Sequence, residues 1–198
     1  MRDREEDLSQ FIEQDPESLV IALKSIAKSL IEFNRVLFKE TGVEGFYYCV
    51  NNQNNFFKDS FFTTYVAPYE KVVLEKANEL SDINILHICG YDGLSNDLKL
   101  FEDFEAAAFN WDGEAEGVSL TEGKKLFGGK AVIGGFEQDQ VIYTGTRDEV
   151  EKATFDILDE SAQVGTIIGA GCTLPTDIEE IRLEWVRQAS IKYAVENL

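Results

Sequence analysis

Long apolar runs are missing from this chain: no stretch approaches the roughly 18 uninterrupted apolar residues of a membrane-spanning helix. The first ten residues, MRDREEDLSQ, hold no apolar core of a signal peptide. The expectation is a cytoplasmic protein with no membrane partner. Basic residues are scarce too. Against 37 Asp and Glu stand 18 Lys and Arg, a formal charge of −19, so phosphate backbones and anionic lipid are repelled. Nucleic acid is not an expected partner, and a polycarboxylate ligand, which needs several convergent Arg or Lys, is disfavoured. Cysteine occurs three times, at Cys49, Cys89 and Cys172. An odd count without an export signal argues against a disulfide framework and for thiol or metal chemistry. Histidine occurs once, as His87.

What is present suits one globular unit. The chain has 198 residues, of which 44% are hydrophobic and 28% charged; this is enough for a single domain with a core, short for two, and unlike a disordered acidic tail. Residues 1–15 form an acidic leading segment, and residues 16–198 read as βα units. Asp15-Pro16 is a helix-start signature, and Leu19, Leu23, Ile26, Leu30, Phe33 and Leu37 follow at spacings of three and four. They predict one long amphipathic helix ending near Thr41-Gly42. GFYYCV, Gly45 to Val50, reads as a buried strand closed by the polar patch Asn51 to Asn55.

The segment from Phe56 to Leu80 is expected to be mainly helical, with Pro68 starting or kinking it. Its aromatic run, Phe56, Phe57, Phe61, Phe62, Tyr65 and Tyr69, is spaced for a core-facing helix side. Four further strands are expected at Ile85–Cys89, Ala106–Asn110, Ala131–Gly134 and Thr166–Gly171. Three Ser/Thr-x-x-Glu patterns, Ser119 with Glu122, Thr146 with Glu149 and Thr176 with Glu179, mark helix starts. Short apolar strands with little polar alternation, each followed by a helix, predict the α/β class: a parallel sheet covered by helices.

In such folds functional groups gather at the carboxyl edge of the sheet. That edge holds His87 and Cys89, then Asp92, Asn110, Asp112 and Glu137, and finally Gly169-Ala170-Gly171-Cys172. Residues i and i+2 of a strand point to one face, about 6 to 7 Å apart, so His87 and Cys89 can converge on one ion. Zinc favours imidazole and thiolate, and a catalytic zinc takes three protein ligands with a fourth position for water or substrate. Cys172 is the candidate third ligand. Buried free cysteines and a hydrogen-bonded core histidine account for the same residues without a metal. The glycine pairs match neither a P-loop nor the dinucleotide fingerprint; a tight strand exit or close backbone approach explains them.

Several segments, in order, resemble the uroporphyrinogen decarboxylase superfamily. They are Val66-Ala67-Pro68-Tyr69, Ile85-Leu86-His87-Ile88-Cys89-Gly90, Phe109-Asn110-Trp111, Ile133-Gly134-Gly135-Phe136-Glu137, the Thr144-Gly145-Thr146 to Val150 stretch, and Ile168-Gly169-Ala170-Gly171-Cys172-Thr173-Leu174-Pro175. The resemblance runs from about residue 16 to the end and implies an incomplete TIM-type barrel, about five of eight βα units, corresponding to strands four to eight. Of the two branches, the decarboxylases use no metal, while the corrinoid-dependent methyltransferases bind zinc through His-x-Cys and a distant Cys. His87, Cys89 and Cys172 follow the second pattern. The decarboxylases' Asp-Trp pair is Asn110-Trp111 here, their Gly-Asn-Leu-Asp is replaced by Gly135-Phe136-Glu137 preceded by another Gly, and their arginine-bearing amino-terminal motif is absent.

The resemblance thus implies methyl transfer from methylcobalamin, free or on a corrinoid protein, to a small zinc-activated thiol. Asp92, Asn110 and Glu137 are the expected substrate-side groups. Uroporphyrinogen decarboxylation is the alternative activity, and a non-catalytic barrel half with a binding or vestigial role is a third. Five strands cannot close a barrel that typically takes about 250 residues. The edges at GFYYCV and TIIGAG therefore lead to the expectation that the chain is a fragment, or half of an assembly completed by a second copy or another chain.

Overall fold

The computed structural model describes residues 14–53, 59–90, 94–137, 140–161 and 164–197. Helix α1, Pro16–Thr41, starts where the carboxylate of Asp15 accepts from the Ser18 amide at 3.1 Å and stops at Gly42, whose φ of 72° is costly for other residues. Strand β1 is Tyr47–Val50. A π-helical turn, Phe62–Val66, leads into α2, Ala67–Asn78, with Pro68 in its first turn. Then follow β2 (Ile85–Ile88), β3 (Ala108–Trp111), the short α3 (Gly113–Glu116), α4 (Leu120–Leu126) and β4 (Ala131–Phe136). Next come α5 (Val141–Thr144), α6 (Arg147–Ser161), β5 (Thr166–Ala170) and α7 (Glu180–Asn197).

The five strands make one parallel sheet in the order β1-β2-β3-β4-β5. Alternate side chains face opposite sides. The helix-covered face carries Val50, Leu86, Ile88, Phe109, Trp111 and Val132, all buried together with Phe62, Leu74, Phe101 and Phe127. Phe109 stacks on Phe127 with ring centroids 4.0 Å apart. The Trp111 indole donates to the Val118 carbonyl at 2.8 Å. A second cluster, Phe136, Ile142 and Val150 with Trp185 and Val186, fills the space under α6 and α7.

The opposite face is the one that matters for chemistry. The register sets Cys49 beside His87, His87 beside Asn110, Asn110 beside Ile133, and Ile133 beside Ile167. On this face Tyr47 and Ile167, towards the two ends of the row, keep about half of their surface exposed, 52% and 53%, while His87 and Asn110 between them are buried. Among the described residues, strands β1 and β5 each pair on one side only. No helix among the described residues is long and apolar enough to cross a membrane.

Several sequence expectations shift. The stripe on α1 is not one buried face: α1 packs mainly on α2, with Ala27 buried, whereas Ile26, Leu30 and Phe33 stay exposed. Strand β3 begins at Ala108 rather than Ala106 and runs on to Trp111, and β4 continues to Phe136. The capping boxes at Ser119 and Thr146 form. The third does not start a helix, because Pro175 to Ile178 closes a turn and α7 begins at Glu180. Asp92, Phe56 and Phe57 lie outside the described residues.

Candidate metal centre

His87 lies inside β2 and Cys89 just beyond its end, on the same face by the two-residue repeat. Cys172 arrives from the other side of the sheet, two residues after β5. Gly171 permits that approach: a β-carbon there would lie 2.9 Å from Cα of Asp112 and 3.0 Å from the Trp111 carbonyl oxygen. The donor atoms of His87, Cys89 and Cys172 fall within 4.8 Å of one another, with Nε2 of His87 3.8 Å from Sγ of Cys172. Tetrahedral ligands at zinc distances of about 2.0–2.3 Å are separated by about 3.3–3.8 Å, so the His87–Cys172 pair already has that spacing and the widest pair closes by at most about 1 Å on binding. One borderline-soft imidazole and two thiols are also the right chemistry for zinc.

Burial sets the electrostatics of the three donors. His87 is buried, and burial lowers its pKa below the ordinary imidazole value, with Asn110 and the charge of Asp112 opposing. A neutral imidazole is the ligating form. The Cys89 thiol is pushed up to about 11, chiefly by burial and then by Cys172, and burial also raises Cys49. Sγ of Cys89 and of Cys172 both lie near the Gly90 carbonyl oxygen, at 3.8 and 3.7 Å. Two thiols with no cationic side chain among these partners await a cation to offset their charge on ionisation. Nδ1 of His87 is buried without a hydrogen-bond partner among the described residues.

A ring of polar residues frames the three donors. Asn110 spends both amide hydrogens on the carbonyls of Ile133 (2.8 Å) and Ala170 (3.0 Å), and its Oδ1 accepts from the Tyr47 hydroxyl. Glu137 sits at the end of β4, next to Asp112, which caps α3 by accepting from the Ala115 amide at 2.8 Å. One Glu137 oxygen, Oε2, is buried without a partner among the described residues, and burial followed by the nearness of Asp112 raises the pKa of the carboxyl to about 7. Asn96 donates to the Cys89 carbonyl at 3.2 Å and to Glu116 at 2.7 Å, while its own Oδ1 accepts from the Asn52 amide at 2.7 Å. This network pins the backbone that carries Cys89.

Tyr47, Asn52, Asn96 and Glu116 were not among the sequence candidates. Asn52 lies in the polar patch that closes β1, and nothing local marks the other three. An apolar groove of about 550 Å³ between β5 and α7, lined by Phe136, Ile168, Leu183 and Ile191, lies apart from the three donors, none of which borders it.

Architecture and donor set together define the class: part of a TIM-type barrel, five consecutive βα strands with imidazole and thiol donors gathered at the carboxyl edge. A solved methyltransferase from Methanosarcina mazei shares this fold, with a TM-score of 0.75 and 13% identity over 94% of this chain and 52% of that one. The chain is also similar to the methylcobamide:CoM methyltransferase MtbA of Methanosarcina mazei, 26% identical over 133 residues, 67% of this chain and 37% of that protein. The resemblance to the cobalamin-dependent methyltransferase branch of the superfamily is thereby borne out. The chain spans about half the length of the solved relative and little more than a third of the curated one. No protein-family profile matches it.

Proposed function

We propose that this chain carries the zinc-binding part of a methyltransferase that moves a methyl group from a methylcorrinoid to a small thiol. One observation supports the reading above the rest: a ring nitrogen of His87 and the sulfurs of Cys89 and Cys172 lie within 4.8 Å of one another, in a chain similar to a methylcobamide:CoM methyltransferase. When bound, zinc supplies Lewis acidity that stabilises a thiolate at neutral pH.

The protein's own residues do the remainder. His87 offers Nε2 in its neutral form, and Cys89 and Cys172 lose their protons on ligation, which makes binding pH-dependent. Oε2 of Glu137 is buried, unpaired among the described residues and basic enough near pH 7 to hold a proton released by an incoming thiol. Asn110 braces the strands behind the donors. Asp92 is proposed as a further substrate-side group from its place after β2.

The partners proposed are a corrinoid protein or free methylcobalamin, a small thiol, and a second copy or another chain that pairs with β1 and β5. The half-exposed Tyr47 and Ile167 on the inner row also favour a second reading, a barrel half that binds without catalysing. Demethylation of methylcobalamin by the zinc-loaded chain with a panel of small thiols separates the two: turnover lost in Cys172→Ala supports the enzyme, and a zinc-bound chain inert to every thiol supports the binding role. Light scattering at micromolar concentration is expected to show association through the open edges, and a monodisperse monomer counts against the completed barrel.

A further inference from the structure

A metal-ligating histidine usually has its ring plane fixed by a hydrogen bond at its second nitrogen. Nδ1 of His87 has none among the described residues. Its plane is held in another way. Tyr47, on β1, extends over β2, stacks its ring on the imidazole with centroids 5.3 Å apart and planes 24° apart, and reaches β3 to donate its hydroxyl to Oδ1 of Asn110. Asn110 is itself immobilised by the Ile133 and Ala170 carbonyls at 2.8 and 3.0 Å. Ala170 stands two residues before Cys172. A single hydrogen-bonded bridge therefore runs from β1 to β5, lies against the imidazole, and grips the backbone that leads to the second sulfur.

We infer that Tyr47 and Asn110 are positioning residues for the metal centre, with Tyr47 setting the plane of His87 by stacking and Asn110 tying that ring to the Cys172 strand. The inference rests on the zinc reading above. Its physical basis is that imidazole binds along its nitrogen lone pair, so a ring free to turn about χ2 spends much of its time misaligned with two fixed sulfurs. Loss of an outer partner of a ligating histidine typically costs about 10- to 100-fold in metal affinity.

The test uses the full chain and its Tyr47→Leu, Tyr47→Phe and Asn110→Ala variants. Zinc affinity is measured by competition with a chromophoric chelator, and Co²⁺ is loaded as a spectroscopic probe. Tyr47→Leu is expected to weaken zinc about 10- to 100-fold and to shift the Co²⁺ d–d bands. Tyr47→Phe keeps the stacked ring and is expected to recover most of the affinity. Thermal melts in chelator are expected to separate the Leu and Phe variants little, since Tyr47 is half exposed on an edge strand. A folded Tyr47→Leu with parental zinc affinity and a parental cobalt spectrum overturns the inference while leaving the metal reading intact. If the Leu variant does not fold, Tyr47→Ile, a strand-favouring residue without a ring, takes its place, and parental zinc affinity and a parental cobalt spectrum in both it and Asn110→Ala overturn the inference equally. A parent chain that binds neither ion overturns both.

Discussion

Gly171→Ala perturbs the junction on which the proposed centre depends. A methyl group at this position would lie 2.9 Å from Cα of Asp112, 3.0 Å from the Trp111 carbonyl oxygen and 3.3 Å from Oε2 of Glu137. Carbon atoms rest at about 3.5–4.0 Å, so a gap of about 0.6–1 Å has to open. Asp112 and Trp111 cannot supply it cheaply: both contacts are backbone, at the end of a strand held between β2 and β4. The strain falls on the segment after β5, where the next residue is Cys172. Metal–ligand distances tolerate about 0.2 Å, so a shift of half an ångström or more at one sulfur is expected to lower zinc affinity by more than about tenfold. Overpacking of this kind is also expected to cost about 1–3 kcal/mol of stability. Chelator competition measures the first and denaturant unfolding of the metal-free chain the second. Parental zinc affinity in Gly171→Ala would refute the claim that this glycine sets the position of Cys172.

Further perturbations test other parts of the account. The carboxyl of Glu70, on α2, has a buried oxygen with no partner among the described residues, and burial raises its pKa from 4.5 to about 8. The folded state thus holds a proton that the unfolded chain releases, and stability falls as pH rises from about 4.5 to 8. The gap between those values corresponds to at most about 5 kcal/mol, and water around the carboxyl brings the expected gain of Glu70→Gln to about 2–3 kcal/mol at pH 9. Denaturation midpoints at pH 5 and pH 9 measure this; equal midpoints for parent and variant at pH 9 contradict it. Gly123→Ala would drive a methyl group to 2.2 Å from the Trp111 indole, which is fully buried and hydrogen-bonded. A loss of about 1–3 kcal/mol or more is expected in fluorescence-monitored unfolding, and an unchanged midpoint would show that α4 and β3 are not in this contact.

The parallel sheet was legible because each strand is a short apolar run such as ILHI or TIIGA, with a helix signal after it. His87, Cys89 and Cys172 could be grouped in advance for a similar reason: the two-residue repeat joins the first pair, and strand-end position adds the third. Periodicity could not say whether the stripe on α1 has a partner, so Ile26, Leu30 and Phe33 were expected inside and lie exposed. Ala106-Ala107-Ala108 carries no side-chain signal that separates loop from strand, which is why β3 starts two residues late. Thr176 and Glu179 have the residue types of a capping box, but a turn occupies the place of the first helical turn. Tyr47 and Asn96 stayed unseen because their partners are distant in sequence and register alone brings them together. Register also placed Cys49 on the His87 face.

Elemental analysis of the purified full chain, beside its Cys89→Ala and Cys172→Ala variants, tests the central claim most directly. About one zinc per chain in the parent, lost in each variant while the fold persists, is the predicted result. A zinc-exposed parent that folds and holds no metal, or a Cys172→Ala chain that retains zinc as tightly as the parent, contradicts it.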